Sequence, residues 1–231
     1  MKIGIIGAMD EEIAILKEKI SDLESITIAG CEFHKGTLYG QNVILTLSGI
    51  GKVAASVATT LLLDKFKPDH IINTGSAGGF DSQLNVGDIV ISNEVRFHDV
   101  DLTAFGYEIG QMAQLPPAFT ADPMLISLAQ NAANSLNHLK VIKGLICSGD
   151  IFMADPKKAD IARQNFPDMA ACEMEAAAIA QVCYQFKVPF VIIRALSDIA
   201  GKKSEVSFEK FLPIAAKNSS ALIEEMLKRI A

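Results

Sequence analysis

Three segments of this chain place carboxylates directly after apolar runs that read as β-strands. Ile3–Ile6 leads into Gly7-Ala8-Met9-Asp10-Glu11-Glu12, Met169–Cys172 into Glu173-Met174-Glu175, and Val188–Leu196 into Ser197-Asp198. A fourth run, Ile71-Ile72, opens onto Asn73-Thr74-Gly75-Ser76-Ala77-Gly78-Gly79. One carboxyl group can give a proton to a leaving group, another can take one from water, and a third can accept from both hydroxyls of a sugar diol. Together they suit cleavage of a glycosidic bond, which asks two acids to hold different protonation states at one pH. In open α/β sheets, residues at the carboxyl ends of different strands converge on one crevice.

Each motif also has a plainer reading. Glu173 and Glu175 stand where a β-prone run changes to the Ala-rich helix Ala176–Phe186. A carboxylate at a helix N-terminus gains ~0.3–1 kcal/mol from the dipole and the unpaired N–H groups. Capping accounts for either glutamate alone. Two at i, i+2 between apolar elements need a partner for buried charge, and a ribose diol would be one; on sequence alone both readings stand. Asp10, Glu11 and Glu12 are by themselves ordinary first-turn acids. Yet a glycine-tight turn before a helix normally receives an anion, and acids placed there would repel phosphate and could activate water. Asp198 could cap a helix, but no helical pattern follows before Ser207. Arg194, inside an apolar run, needs a buried acid beside it, and Glu173 or Glu175 is the expected partner.

Other motifs lose force on inspection. Ser48-Gly49-Ile50-Gly51-Lys52-Val53-Ala54 fits a weak form of the dinucleotide fingerprint. The acid that should end the next strand is missing, because His70–Asn73 leads into Thr74, and close helix–strand packing is the expected use of the glycines. A P-loop is excluded, since Lys52 is followed by Val53 and position 46 is not glycine. His98-Asp99-Val100-Asp101 lacks a second cluster at ligand spacing, so no metal is expected. His34, His70 and His138 are isolated, and no G-x-S-x-G offers a serine nucleophile.

The elements that must position these residues alternate along the chain. Helical spacing predicts helices over Glu11–Ile20, Val53–Phe66, Pro123–Ser135, Pro156–Asn165 and Ala176–Phe186, with a last one from Ser207 to about Arg229. Strands are predicted over Ile26–Ala29, Glu32–Leu38, Val43–Leu47, His70–Asn73, Asp88–Ser92 and Val141–Ser148. The first three follow one another as hairpins, so the sheet is expected to be mixed. Asp99–Phe119 has no clear periodicity, and loops of that length are usually functional or interfacial.

At 231 residues, half of them hydrophobic, the chain is read as one large α/β domain over residues 1–231. No uncharged apolar stretch approaches the ~18–20 residues of a membrane span, and Met1–Met9 is too short an apolar start for a secretory signal. A cytoplasmic protein is expected. Cys31, Cys147, Cys172 and Cys183 have no C-x-x-C spacing and read as reduced core thiols. A net charge of −6, with no basic cluster larger than the surface pairs Lys157-Lys158 and Lys202-Lys203, argues against nucleic-acid binding.

Taken together, the motifs resemble a known family. They are Ile5-Ile6-Gly7-Ala8-Met9 with Glu12, Ser48-Gly49-Ile50-Gly51-Lys52, Asn73–Gly78, Thr103-Ala104-Phe105-Gly106-Tyr107, Ser148-Gly149-Asp150, Glu173-Met174-Glu175-Ala176, and Arg194-Ala195 with Ser197-Asp198. The chain resembles, over essentially its whole length, the bacterial 5′-methylthioadenosine/S-adenosylhomocysteine nucleosidases of the purine nucleoside phosphorylase and uridine phosphorylase superfamily. The resemblance implies a three-layer α/β/α sandwich around a twisted mixed sheet, a homodimer, no cofactor, and hydrolysis of the bond between adenine and a 5′-substituted ribose in methionine salvage and the activated methyl cycle. It implies that Asp198, supported by Ser197, protonates adenine N7 and that Glu12 takes a proton from water. Glu175 with the Met174 backbone would hold the ribose hydroxyls, with Glu173 beside them and Arg194 orienting the acid. Phe152 would stack on adenine while the Met153 backbone reads its edge, and Ser76, Ala77 and Gly78 would line the site. Met9, Ile50 and Phe208 would contact ribose and alkylthio group. Leu102, Phe105 and Ala113 would wall the pocket of a partner subunit. Ala113 and Ile109 depart from the proline and tyrosine common in the family. The alternative on the same fold is a phosphate-dependent purine nucleoside phosphorylase, which needs convergent cations; the chain has only Arg96, Arg163, Arg194 and Arg229.

Overall fold

The computed structural model describes residues 1–137, 139–200 and 204–230, without the side chains of 204–207. His138, the pair Lys202-Lys203 and the side chain of Ser207 therefore lie outside the described residues. The chain opens with β1 (Lys2–Gly7) and α1 (Asp10–Lys17), then makes the antiparallel succession β2 (Ser21–Ile28), β3 (Cys31–Leu38) and β4 (Gln41–Leu47). Next come α2 (Lys52–Leu61), extended by a π turn over Leu62–Phe66, and the strands β5 (His70–Gly79) and β6 (Ile89–Phe97). After a 3₁₀ turn at Thr103–Phe105 follow β7 (Phe119–Thr120), α3 (Pro123–Ala133), β8 (Val141–Ser148), α4 (Pro156–Asn165), β9 (Met169–Glu173), α5 (Ala176–Phe186), β10 (Phe190–Ile199) and α6 (Ser204–Leu227).

The strands form one mixed sheet in the order β10-β6-β8-β9-β5-β1-β4-β3-β2, with β7 on β6. Because β10 pairs with β5 as well as β6, the sheet bends back on itself. β5 is its centre, bonded to β1, β9 and β10. Helices α1, α3 and α6 pack together, as do α2 and α5, giving the α/β/α arrangement. Ile3, Ile5 and Ile6 of β1, Ile71 and Ile72 of β5, and Val191, Ile192 and Ile193 of β10 are all buried, the unbroken apolar pattern of strands covered on both faces. Edge strand β2 is exposed along nearly all of its length.

β8, α4 and α5 keep their expected bounds, with Pro156 in the first turn of α4, where its missing N–H costs nothing. Other elements differ from expectation. α1 stops at Lys17, and Ile20 is buried from the turn into β2 rather than from the helix. β2 starts at Ser21 and β6 runs on to Phe97, both longer than their apolar patterns. α3 ends at Ala133, and α6 spans Ser204–Leu227 with Pro213 inside it. Thr74–Gly79 and Ser197-Asp198, read as lying beyond strand ends, are strand. β5 and β10 pair in parallel from Phe190↔Ile71 to Ile199↔Gly79. That ladder satisfies the backbone of a segment whose glycines and polar residues would otherwise leave it irregular.

Candidate active site

β1 ends at Gly7, where a β-carbon would lie 2.5 Å from Ile13 Cγ2, so only glycine lets α1 start so close to the strand. The tight entry turns Glu12, the third residue of α1, back over its own N-terminus. Glu12 Oε2 accepts the N–H groups of Ala8 (2.8 Å) and Met9 (3.2 Å). Oε1 accepts the Ser76 N–H (2.8 Å) and hydroxyl (3.0 Å) from β5. One acid thus both caps the first turn of α1 and reaches across to β5 and the cavity. Asp10 and Glu11 remain exposed.

At the β9–α5 junction the two glutamates separate in role. Glu173 Oε2 accepts the N–H groups of Glu175 and Ala176, both at 2.9 Å, and Ser148 donates to Glu173 Oε1 while accepting the Ala177 N–H. Glu173 therefore caps α5, which releases Glu175 from that duty. Arg194, 1 % exposed, balances both acids. Its Nη2 donates to Glu173 Oε2 (2.5 Å), Asn73 Oδ1 (2.8 Å) and, more weakly, Glu175 Oε2 (3.4 Å), and its Nη1 donates to the Ser76 carbonyl (3.2 Å). None of these bonds reaches Asp198, so Arg194 orients the glutamate pair and not the acid of β10. Burial and the neighbouring Glu173 charge raise the Glu175 pKa to about 8, against the pull of Arg194 and the Gly51 N–H. That N–H, at the start of α2, donates to Glu175 Oε1 at 2.8 Å. The turn that begins α2 therefore holds the Glu175 carboxyl group through the Gly51 N–H, while at Gly49 a β-carbon would touch Ala54 of α2 at 3.4 Å.

Asp198 owes its position to a bulge. The β10–β5 register shifts between Leu196 and Asp198, and a bulge re-aims side chains that regular alternation would send to opposite faces. Adjacent Ser197 and Asp198 consequently face the same cavity. Ser197 Oγ donates to Asp198 Oδ1 at 2.9 Å, and a β-carbon at Gly78 would meet Asp198 Oδ2 at 3.1 Å.

The three acids border one cavity of roughly 300 Å³. Ser76, Ala77 and Gly78 form one wall, with Glu173, Met174 and Arg194 beside Glu175. Met9, Ile50, Phe152, Met153 and Phe208 supply an apolar wall in which the Phe152 and Phe208 rings meet edge to face, centroids 5.7 Å apart. Leu102, Phe105 and Ala113 do not line it; Phe105 is 80 % exposed. Reading the sequence missed Ala8, Ile151 and Cys172 in the lining and Asn73 as the anchor of Arg194. An asparagine ending an apolar strand was the available signal for Asn73, since Asn is depleted in strands. Burial holds the Cys172 thiol well above its ordinary pKa, which removes it as a nucleophile.

Arg194 is the sole cation among the described residues lining the cavity. Arg96 bonds Glu108 and the Pro117 carbonyl, Arg163 bonds Asp160 and the Ala200 carbonyl, and Arg229 bonds Glu225. Among the described residues no group of three or more His, Cys, Asp or Glu could hold a metal ion, and no helix is long and apolar enough to cross a membrane.

Comparison with known proteins agrees with this geometry. The model of the phosphorylase superfamily matches residues 2–228. A 5′-methylthioadenosine/S-adenosylhomocysteine nucleosidase of Psychromonas ingrahamii is 75% identical over 230 residues, covering 100% of both chains. The nucleosidase of Colwellia psychrerythraea, solved with adenine, is 56% identical with a TM-score of 0.97 over 98% of this chain and 94% of that one. The Neisseria meningitidis nucleosidase, solved with methylthio-immucillin-A, is 46% identical with a TM-score of 0.98 over 99% of each chain. The chain belongs to the phosphorylase superfamily and, within it, to the 5′-methylthioadenosine/S-adenosylhomocysteine nucleosidases.

Proposed function

We propose that this protein hydrolyses the N-glycosidic bond of 5′-methylthioadenosine and S-adenosylhomocysteine, and also of 5′-deoxyadenosine, to adenine and the 5′-substituted ribose. One observation carries the reading: Glu12, Glu175 and Asp198 converge on a cavity whose cation, Arg194, is already committed to Glu173 and Glu175. A phosphorylase would need cations for phosphate; here carboxylates surround the place where the sugar becomes cationic, and negative charge stabilises that transition state.

In this mechanism Asp198, steadied by Ser197, protonates adenine N7 and makes the base a neutral leaving group. Glu12 accepts the proton of the attacking water. Glu12 is anchored on Ser76 and Asp198 lies over Gly78, two residues further along β5, so the two acids reach the cavity from neighbouring points of one strand. Glu175 and the Met174 backbone hold the ribose diol. Phe152 stacks on adenine, the Met153 backbone reads its edge, and Met9, Ile50 and Phe208 enclose the ribose and the alkylthio group. Leu102, Phe105 and Ala113 close the pocket of a second copy in a cytoplasmic homodimer; the exposure of Phe105 supports that part.

The test is adenine release from 5′-methylthioadenosine in phosphate-free buffer. Wild-type protein should release it at a rate that added phosphate leaves unchanged, and Asp198→Asn and Glu12→Gln should each lose about 10²–10⁴-fold. Release only when phosphate is present would overturn the reading.

A further inference from the structure

Lys52 is the first residue of α2, where the helix dipole disfavours a cation. It is nonetheless held in place. Its Nζ lies 2.6 Å from Asp99 Oδ2, 4.0 Å from Asp150 Oδ2 and 5.5 Å from the centroid of the Phe97 ring. The Lys52 N–H donates to Asp150 Oδ1 (2.8 Å), and the Asp150 N–H donates to Asp99 Oδ2 (3.0 Å). These bonds close a ring through three segments far apart in sequence: the turn before α2, the start of the 99–119 stretch and the turn after β8. Two carboxylates outweigh the dipole, which explains a lysine at this end of a helix.

Two of the three segments line the cavity. The turn before α2 contributes Ile50 and the Gly51 N–H that meets Glu175. At Gly51 φ is +94° and a β-carbon would lie 3.1 Å from Asp150 Oδ1, so glycine is what allows the aspartate so close. The turn after β8 contributes Ile151, Phe152 and Met153. Asp99 begins the stretch that carries Leu102 and Phe105. The Lys52 main-chain N–H ties the turn before α2 to Asp150, and the Lys52 ammonium adds the link to Asp99 and the ion pair with Asp150.

We propose that Lys52 is a positioning residue: by clamping Asp99 and Asp150 it fixes the turn that presents the Gly51 N–H to Glu175, and so aims that carboxylate at the ribose hydroxyls. The inference rests on the reading of Glu175 as the diol acceptor. Its consequence is selective, since loosening the clamp weakens what Glu175 holds and leaves Asp198 and Glu12 in place.

The experiment compares wild type, Lys52→Met, Lys52→Arg and Asp99→Asn on 5′-methylthioadenosine and on its 2′-deoxy counterpart. Lys52→Met should raise KM for the ribonucleoside about tenfold, the size of one lost charge-assisted hydrogen bond, with a smaller change in kcat. The 2′-deoxy substrate should show little of that penalty. Lys52→Arg should restore most of the loss, and Asp99→Asn should repeat the Lys52→Met pattern, which keeps the test decisive if Lys52→Met does not fold. Equal losses on both substrates, or no loss in either variant, would overturn the proposal. Amide exchange at Gly51, measured by NMR, reads the clamp without any reaction: faster exchange in the folded variants supports it and unchanged exchange refutes it. Should wild type release no adenine, the proposed reaction falls while Gly51 exchange still decides the clamp.

Discussion

Gly75→Ala adds one methyl group to the centre of the site and should damage stability and rate together. At Gly75, φ is +153°, and an added β-carbon would lie 2.3 Å from Arg194 Nη1 and 2.7 Å from Glu12 Oε1, where ordinary contact begins near 3.4 Å. The guanidinium must retreat by about 1 Å and the carboxylate by somewhat less to relieve the overlap. That retreat breaks the Nη1 bond to the Ser76 carbonyl and draws Nη2 away from Asn73 and Glu173. Backbone strain of ~1–3 kcal/mol adds to ~1.5–3 kcal/mol for the one bond lost outright. We expect a loss of about 3–6 kcal/mol, a large part of the ~5–15 kcal/mol that holds a domain folded. Displacing Glu12, proposed above to activate water, by a fraction of an ångström should cost up to about 10²-fold in kcat/KM. Urea unfolding reads the first quantity and adenine release the second. Gly40→Ala is the control, because its φ is +80° yet a β-carbon there meets nothing within 4 Å; it should show strain alone. If Gly75→Ala stays within about 1 kcal/mol and threefold of wild type, as ordinary surface changes do, the packing of Arg194 and Glu12 around Gly75 is not what holds the site.

Two further outcomes follow from the same residues. The folded state holds the Glu175 proton up to about pH 8, so its stabilising effect is complete below the ordinary carboxylate range and is lost as pH rises. The urea midpoint of the ligand-free protein should therefore fall between pH 6.5 and 8.5, by at most ~1.4 kcal/mol per unit. The slope should flatten in Glu175→Gln. His34 and His98, whose pKa values burial lowers, act in the opposite sense but only below about pH 6.5; a midpoint that rises or stays level above that pH would refute the reading. Direct attack by a water that Glu12 activates, as proposed above, should also give inversion at the anomeric carbon, so NMR recorded within the first turnovers should show the α-anomer of the thioribose. A β-anomer would instead require a covalent intermediate.

Much of the site was legible because chemistry and secondary structure change at the same residues. Glu12, Glu175 and Asp198 each stood out as acids beside apolar runs, and the burial of Arg194 called for the acids it contacts. What stayed hidden depends on pairing between distant strands. Nothing local says that Gly75, Ser76 and Gly78 continue a strand, because the ladder that holds them comes from β10. Nothing local says that Ser197 is bulged, and alternation alone would have turned either Ser197 or Asp198 away. At Glu173 and Glu175 the division that leaves Glu173 as the cap of α5 depends on Ser148 and Arg194, two residues remote in sequence. Ile20 misled by keeping helical spacing past the end of α1, since burial, not helix membership, is what its apolar side chain reports.

The position of β5 has a consequence for how the protein fails. A strand bonded to β1, β9 and β10 in the middle of a sheet belongs to the last unit to open, and its amides exchange only when the whole molecule does. Heating should therefore leave the acids in register until the cooperative transition, with no partly melted, inactive form beforehand. Ile50, 57 % exposed, and Phe152, 41 % exposed, sit on turns outside that unit, so nucleoside and adenine can pass on local openings that leave the sheet intact.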